Sequence, residues 1–290
     1  MISLEEARDL INEIETLPTL PALVEELLQR LDDPNTTFAK ITAIIERDPA
    51  MNARVLRLVN SAFYGLPRRI SSLNTAVGIL GFNSVRNLVL ATSFFNMFRV
   101  KRAGFDSIGF WMHSLTCGVA CKVISAHKAA VDDDSEFVFG LLHDVGKILM
   151  AAHMEDALSR VLAAVQAKDI LFHEAEAELL QFTHQDLGAA LAQRWRFPEP
   201  LIHAIRFHHR VEAAKAGQYE ASLVHLGDVL ARAMQVGWYG DARVPPIAET
   251  AWTAVGLDEK NLPAIMDEMH AGLLAAEEFI DLIRHPGGKN

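Results

Sequence analysis

The chain has 290 residues, half of them apolar and 22% charged, with a formal net charge of −10. That composition excludes a disordered chain and is ample for one large or two modest cores. The acidic balance argues against a general nucleic-acid footprint, which needs clustered Lys and Arg; the short basic clusters Arg68-Arg69 and Arg99-Val-Lys101-Arg102 read as solvated helix ends.

The first residues carry acids, Glu5 and Glu6, where a signal peptide is basic. No uninterrupted apolar run approaches the roughly 18–20 residues that span a bilayer, so a cytoplasmic protein with no membrane contact is expected. The only two cysteines, Cys117 and Cys121, stand four apart on one helical face and outside C-x-x-C geometry, which makes them core thiols.

In chain order, Ser3-Leu-Glu-Glu6 reads as a capping box opening a helix to about residue 15, and Leu17-Pro-Thr-Leu-Pro21 ends it. A second helix from Pro21 carries the stripe Leu23, Leu27, Leu28 and Leu31, closed by Asp32-Asp-Pro-Asn35. A third covers 38–47. Asp48-Pro49 is a strong start signal, because the aspartate caps free amides and proline tolerates the first helical position. Helix is expected again over 73–80 with Gly81 as its stop, then over 84–98 with Asn83 as cap. A subdomain boundary is placed at Gly104, giving an amino-terminal helical part, 1–103, and a second part, 104–290. Beyond it helices are expected over 109–127, 136–150, 155–168, 173–182, 184–196, 198–209 and 219–236, with one or two more between 247 and 283. No alternating strand pattern occurs, so the fold class is all-α in two parts.

The stretch Phe139-Gly-Leu-Leu-His143-Asp144-Val-Gly-Lys147 sets a histidine, an aspartate and a lysine in an apolar run. Burying these groups is costly unless they are paired, hydrogen-bonded or bound to a metal. Read as one helix, His143, Asp144 and Lys147 border one site. His113, His184, His208-His209 and the pair His225 and Asp228 follow on other expected helices, and together they could surround one or two metal ions. Imidazoles suit transition metals and a carboxylate can bridge two cations. The alternative is a hydrogen-bonded polar core with no ion, since imidazole and carboxylate can satisfy one another.

The sequence resembles the HDOD family of bacterial regulatory proteins from about Leu17 to Arg232. The resemblance rests on Leu17-Pro-Thr-Leu-Pro21, Ile45-Glu-Arg-Asp48-Pro49, Leu56-Arg-Leu-Val-Asn60-Ser-Ala62 and Ala76-Val-Gly-Ile-Leu-Gly81. The His143-Asp144 stretch, His184-Gln-Asp-Leu-Gly188 and Ala204-Ile-Arg-Phe-His208-His209 carry it through the second half. It implies an amino-terminal helical bundle with an HD-type core, in a signalling module working through a protein partner recruited in trans.

Similarity to the related HD-GYP phosphodiesterases implies metal ligands at His113, His143, Asp144, His184, His208, His209 and Asp228, with His225 a competitor for the last. Two divalent transition-metal ions are then expected, iron or manganese ahead of zinc. The second function is a metal-dependent phosphodiesterase or phosphohydrolase acting on a nucleotide ligand, with Asp144 and Lys147 catalytic and Lys147 holding phosphate. Against it, the Gly-Tyr-Pro segment of those enzymes is missing: only Gly217-Gln-Tyr219 follows the histidine pair.

Overall fold

A computed structural model of the protein describes residues 4–12, 22–31, 36–97, 100–128 and 135–285. The capping serine Ser3, the turns at 17–21 and 32–35, and residues 286–290 lie outside them. Sixteen α-helices and no strand occur among the described residues, joined by short 3-10 turns at Val211–Ala213 and Glu259–Asn261. The chain forms two compact units: a smaller one of residues 18–98, 131–135 and 270–290, and a larger one of 1–17, 99–130 and 136–269.

The smaller unit contains α2 (Ala22–Leu31), α3 (Phe38–Glu46), α4 (Pro49–Val59), α5 (Leu73–Met97) and α16 (Glu277–Arg284). Asp48 caps α4 as expected: its Oδ1 accepts from the amides of Ala50 at 2.9 Å and Met51 at 3.0 Å. α5 is two helices meeting at a kink: Gly81, at φ 82° and ψ 165°, lies outside helical geometry and stops the first as expected, while Asn83, expected to cap the second, lies in its first turn. α4 packs on α5, and α16 against both. Ile41, Ile45, Val55, Leu58, Leu73, Phe94 and Phe279 fill the core.

In the larger unit α1 (Leu4–Asn12) lies on α11 (His184–Arg194), and α6 (Ser107–Ala126) is the central helix. Asp106 caps α6 through the amide of Gly109 at 2.9 Å. By length and mean hydropathy, 1.2, this 20-residue helix is long and apolar enough to cross a bilayer, although serines, a threonine, His113 and Lys122 interrupt its apolar run; 72% of its apolar window is buried inside the protein. α13 (Gln218–Ala233) packs along α6. Cys117 and Cys121 are free and buried there, and burial raises the Cys117 thiol well above its ordinary pKa, so both are core thiols.

The remaining helices are α7 (Ser135–Leu142), α8 (Val145–His153), α9 (Glu155–Lys168), α10 (Phe172–Leu180), α12 (Glu199–Phe207), α14 (Glu249–Val255) and α15 (Leu262–Ala275). Two differences matter for the site. The single helix expected over 136–150 is two, broken at His143-Asp144, and α12 stops at Phe207, leaving His208-His209 beyond its end. The carboxy-terminal stretch holds three helices where one or two were expected.

Candidate metal centre

The break between α7 and α8 places the His-Asp pair. Asp144 sits at φ −97° and ψ 12°, and its carbonyl accepts the Lys147 amide at 2.8 Å to start α8. Gly146 fixes where α8 meets α11: a Cβ there would lie 1.9 Å from the His184 carbonyl oxygen. No other residue allows that approach. Asp144 is thereby held against His184, at the first position of α11.

Three histidines are oriented by the nitrogen facing away from the cluster. His143 Nδ1 is 2.7 Å from the Gly140 carbonyl, His208 Nδ1 is 2.7 Å from the Ile205 carbonyl, and His184 Nδ1 is 2.6 Å from Glu176 Oε2. Each acceptor takes a hydrogen bond from Nδ1–H, so in the neutral imidazole Nε2 carries the lone pair and points inward, the tautomer a metal requires. Glu176 is doubly engaged, because its Oε1 also accepts the His184 amide at 2.9 Å.

Asp144 divides its oxygens between two groups of side chains. Its Oδ1 lies 3.1 Å from His184 Nε2 and 3.7 Å from His208 Nε2. Its Oδ2 lies 3.3 Å from His143 Nε2 and 3.9 Å from His113 Nε2. Donor atoms of Asp144, His184, His208 and His209 fall within 4.8 Å of one another, and so do those of His113, His143 and Asp228. All seven residues singled out in the sequence are brought together.

The surrounding contacts separate the candidates. Asp228 Oδ1 is 3.0 Å from His113 Nε2, and Arg232 Nε holds the same carboxylate at 2.9 and 3.2 Å. Arg232 also binds Asp241 through NH1, at 3.1 and 3.0 Å, and its guanidinium lies 4.9 Å from the centre of the Tyr239 ring. His225 does not compete with Asp228. Its Nδ1 donates to the His208 carbonyl at 2.8 Å and its Nε2 accepts the Ala248 amide at 3.0 Å, so both nitrogens are spent on backbone. His173 stacks on His209 with ring centres 4.2 Å apart. Lys147 is fully buried, donating to Asp144 Oδ2 at 2.7 Å and to the Tyr239 carbonyl at 2.8 Å.

Burial opposes ionisation of both carboxylates, yet His143, Lys147 and His184 hold Asp144 well below its ordinary pKa, and Arg232 does the same for Asp228. Burial pushes His208 down to about 3, lowers His113, and drives His209 well below 6.5 with help from His208 and His173. His184 is the exception: burial lowers it, but Glu176 and Asp144 raise it more. At neutral pH the cluster therefore offers two ionised carboxylates, Asp144 and Asp228, and the neutral imidazoles of His113, His208 and His209.

The fit to a metal rests on atoms left over. Both nitrogens of His209 and Nδ1 of His113 are buried with no hydrogen-bond partner among the described residues, while His113 Nε2, His143 Nε2 and Asp144 Oδ1 face Asp228, Asp144 and His184 at 3.0, 3.3 and 3.1 Å without hydrogen-bond geometry. Each such orphan costs about 1–3 kcal/mol, and imidazole nitrogens converging with carboxylate oxygens are a donor set for a transition-metal cation. Sequence reasoning missed Glu176, Arg232, Asp241 and His173. None belongs to a motif, and only their contacts with the cluster identify them.

The HDOD domain pattern matches residues 17–211. Over 212 residues, 72% of the chain, the sequence is 28% identical to an uncharacterized protein of Treponema pallidum (strain Nichols); the match spans only 40% of that protein's length. An HDOD domain protein of Geobacter sulfurreducens, solved with unknown function, superposes with a TM-score of 0.81 at 26% identity over 97% of both chains. A Shewanella amazonensis SB2B chain, named as a candidate phosphohydrolase, shares the fold with a TM-score of 0.73 at 24% identity, over 93% of this chain and 97% of its own. The chain belongs to the HDOD family.

Proposed function

We propose that this chain is a cytoplasmic signalling module that acts through contacts with a protein partner and carries a two-ion transition-metal centre bridged by Asp144. The observation that carries the metal reading is the division of the Asp144 oxygens, Oδ1 toward His184 and His208 and Oδ2 toward His143 and His113. One ion would be held by Asp144, His184, His208 and His209, and the other by His113, His143 and Asp228 with Asp144 shared. Imidazole-rich coordination with a bridging carboxylate favours iron or manganese, with zinc the third candidate and magnesium disfavoured. Such ions supply Lewis acidity and, if iron, a change of oxidation state that a partner could read.

Burial supports signalling ahead of turnover. His113, His143, Asp144, His184 and His208 are all 0% exposed, which leaves a substrate little access. Lys147, the expected phosphate holder, spends its protons on Asp144 and the Tyr239 carbonyl. The phosphohydrolase reading keeps its place as the second one, because its donor set is complete and a fold relative bears that name. It requires Lys147 to leave the Tyr239 carbonyl when a nucleotide binds.

The test is elemental analysis of anaerobically purified protein. About two equivalents of iron or manganese per chain are expected in the wild type and almost none in Asp144→Ala. Fewer than about a tenth of an equivalent after metal-replete expression contradicts the metal reading. Hydrolysis of any member of a panel of cyclic and linear nucleotides by the loaded protein, abolished in Asp144→Ala, would instead establish the second reading.

A further inference from the structure

The smaller unit carries an open cavity of about 810 Å³ where α4 meets the loop leading to α5. Arg57, Arg68 and Arg69 line it, and Glu278 is the only carboxylate among its described lining residues, in a chain whose formal charge is −10. Glu278 Oε2 lies 3.1 Å from Arg57 Nε, so that acid is already engaged. Arg68 and Arg69 are exposed. Two positive charges therefore face the cavity without a counter-charge in its wall among the described residues.

The loop presenting them is tied down. Asn60, which ends α4, accepts the Ile70 amide on Oδ1 at 2.7 Å and donates through Nδ2 to the carbonyls of Ile70 at 2.8 Å and Leu56 at 2.7 Å. These bonds pin the backbone beside Arg69 to the end of α4, so little ordering remains to be done when a ligand binds. Leu56 and Ile70 add an apolar wall.

We infer that this cavity binds a small phosphorylated anion of nucleotide size. Guanidinium forks match phosphate oxygens two at a time, and several converging on one space recognise a ligand with more than one negative charge. The volume falls in the range of roughly 300–1,000 Å³ usual for small-molecule sites, and the apolar wall suits a base or similar group. A nucleic-acid strand would need an extended basic surface, which a formal net charge of −10 disfavours. None of the candidate metal ligands belongs to this unit, so the site stands independently of the metal reading.

The test is calorimetric titration of the full chain with pyrophosphate and with ATP at low salt. Saturable one-site binding is expected, weakened at least about tenfold in the Arg68→Ala/Arg69→Ala double variant through lost charge-assisted hydrogen bonds. In Glu278→Gln, which releases Arg57 from its internal partner, affinity should rise about three- to tenfold. Both arginines are exposed, so the double variant should keep the wild-type Tm. Binding unchanged in the double variant would move the site elsewhere and overturn the inference. So would the absence of binding by both the wild type and Glu278→Gln, or binding of single-stranded RNA with none of pyrophosphate or ATP.

Discussion

In the smaller unit the buried hydroxyls of Ser61, Ser84 and Ser93 each donate to a carbonyl three or four residues back, those of Leu58, Leu80 and Val89. In the larger unit both ring nitrogens of His209 and Nδ1 of His113 are buried with no hydrogen-bond partner among the described residues, and His113 Nε2, His143 Nε2 and Asp144 Oδ1 converge with carboxylate or imidazole atoms without hydrogen-bond geometry. The first kind of burial is closed within one turn of the chain and asks nothing of the rest of the fold. The second assembles side chains from separate helices around a common space, and its unmet valences are explained only by what enters that space. A buried polar residue therefore carries functional information when its outward atom is fixed and its inward atom is free.

Arg232→Ala should break the comparison most severely. It strands Asp228 and Asp241 in the interior without their shared cation, and a loss of about 3–5 kcal/mol in chemical unfolding is expected. A loss below about 1 kcal/mol would mean that water reaches these carboxylates.

Next come two buried histidine contacts that separate structure from metal. His225→Ala leaves the Ala248 amide and the His208 carbonyl unpaired, so it should cost about 1–3 kcal/mol of stability with the metal content unchanged. Glu176→Gln removes the charge that orients His184 and should weaken metal binding about ten- to a hundredfold, measured by competition with a chelator. Equal metal loss in both variants would dissolve the distinction drawn between the two residues. The smallest effect belongs to the smaller unit. Ser93→Ala removes only a back-bond to its own helix, and stability within about 0.5 kcal/mol of wild type is expected.

Much of the fold was legible because it is local. Asp48-Pro49 names its own cap, and apolar periodicity sets most helices within a few residues of their observed ends. The histidine and aspartate set could be named in advance because it follows the ligand order of the HD-GYP phosphodiesterases that the sequence resembles, with His143-Asp144, His184 and His208-His209 in short patterns of their own. The break at His143-Asp144 could not, since the run 137–150 has helical composition and the interruption depends on α8 meeting α11 at Gly146. Glu176 and Arg232 resemble the charges of any amphipathic helix, and Asp241 lies in a loop. Their burial against His184 and Asp228 is a tertiary fact. His225 shows the converse: next to the Asp228 motif it looked like a ligand, and its partners are backbone groups.

The most direct test of the central claim is anomalous diffraction from crystals of the anaerobically purified protein, recorded at the absorption edge of the metal found in it. Two peaks are predicted, one on each side of the Asp144 carboxylate, the first against His184, His208 and His209 and the second against His113, His143 and Asp228. A single peak, or none within reach of Asp144, would contradict the bridged centre.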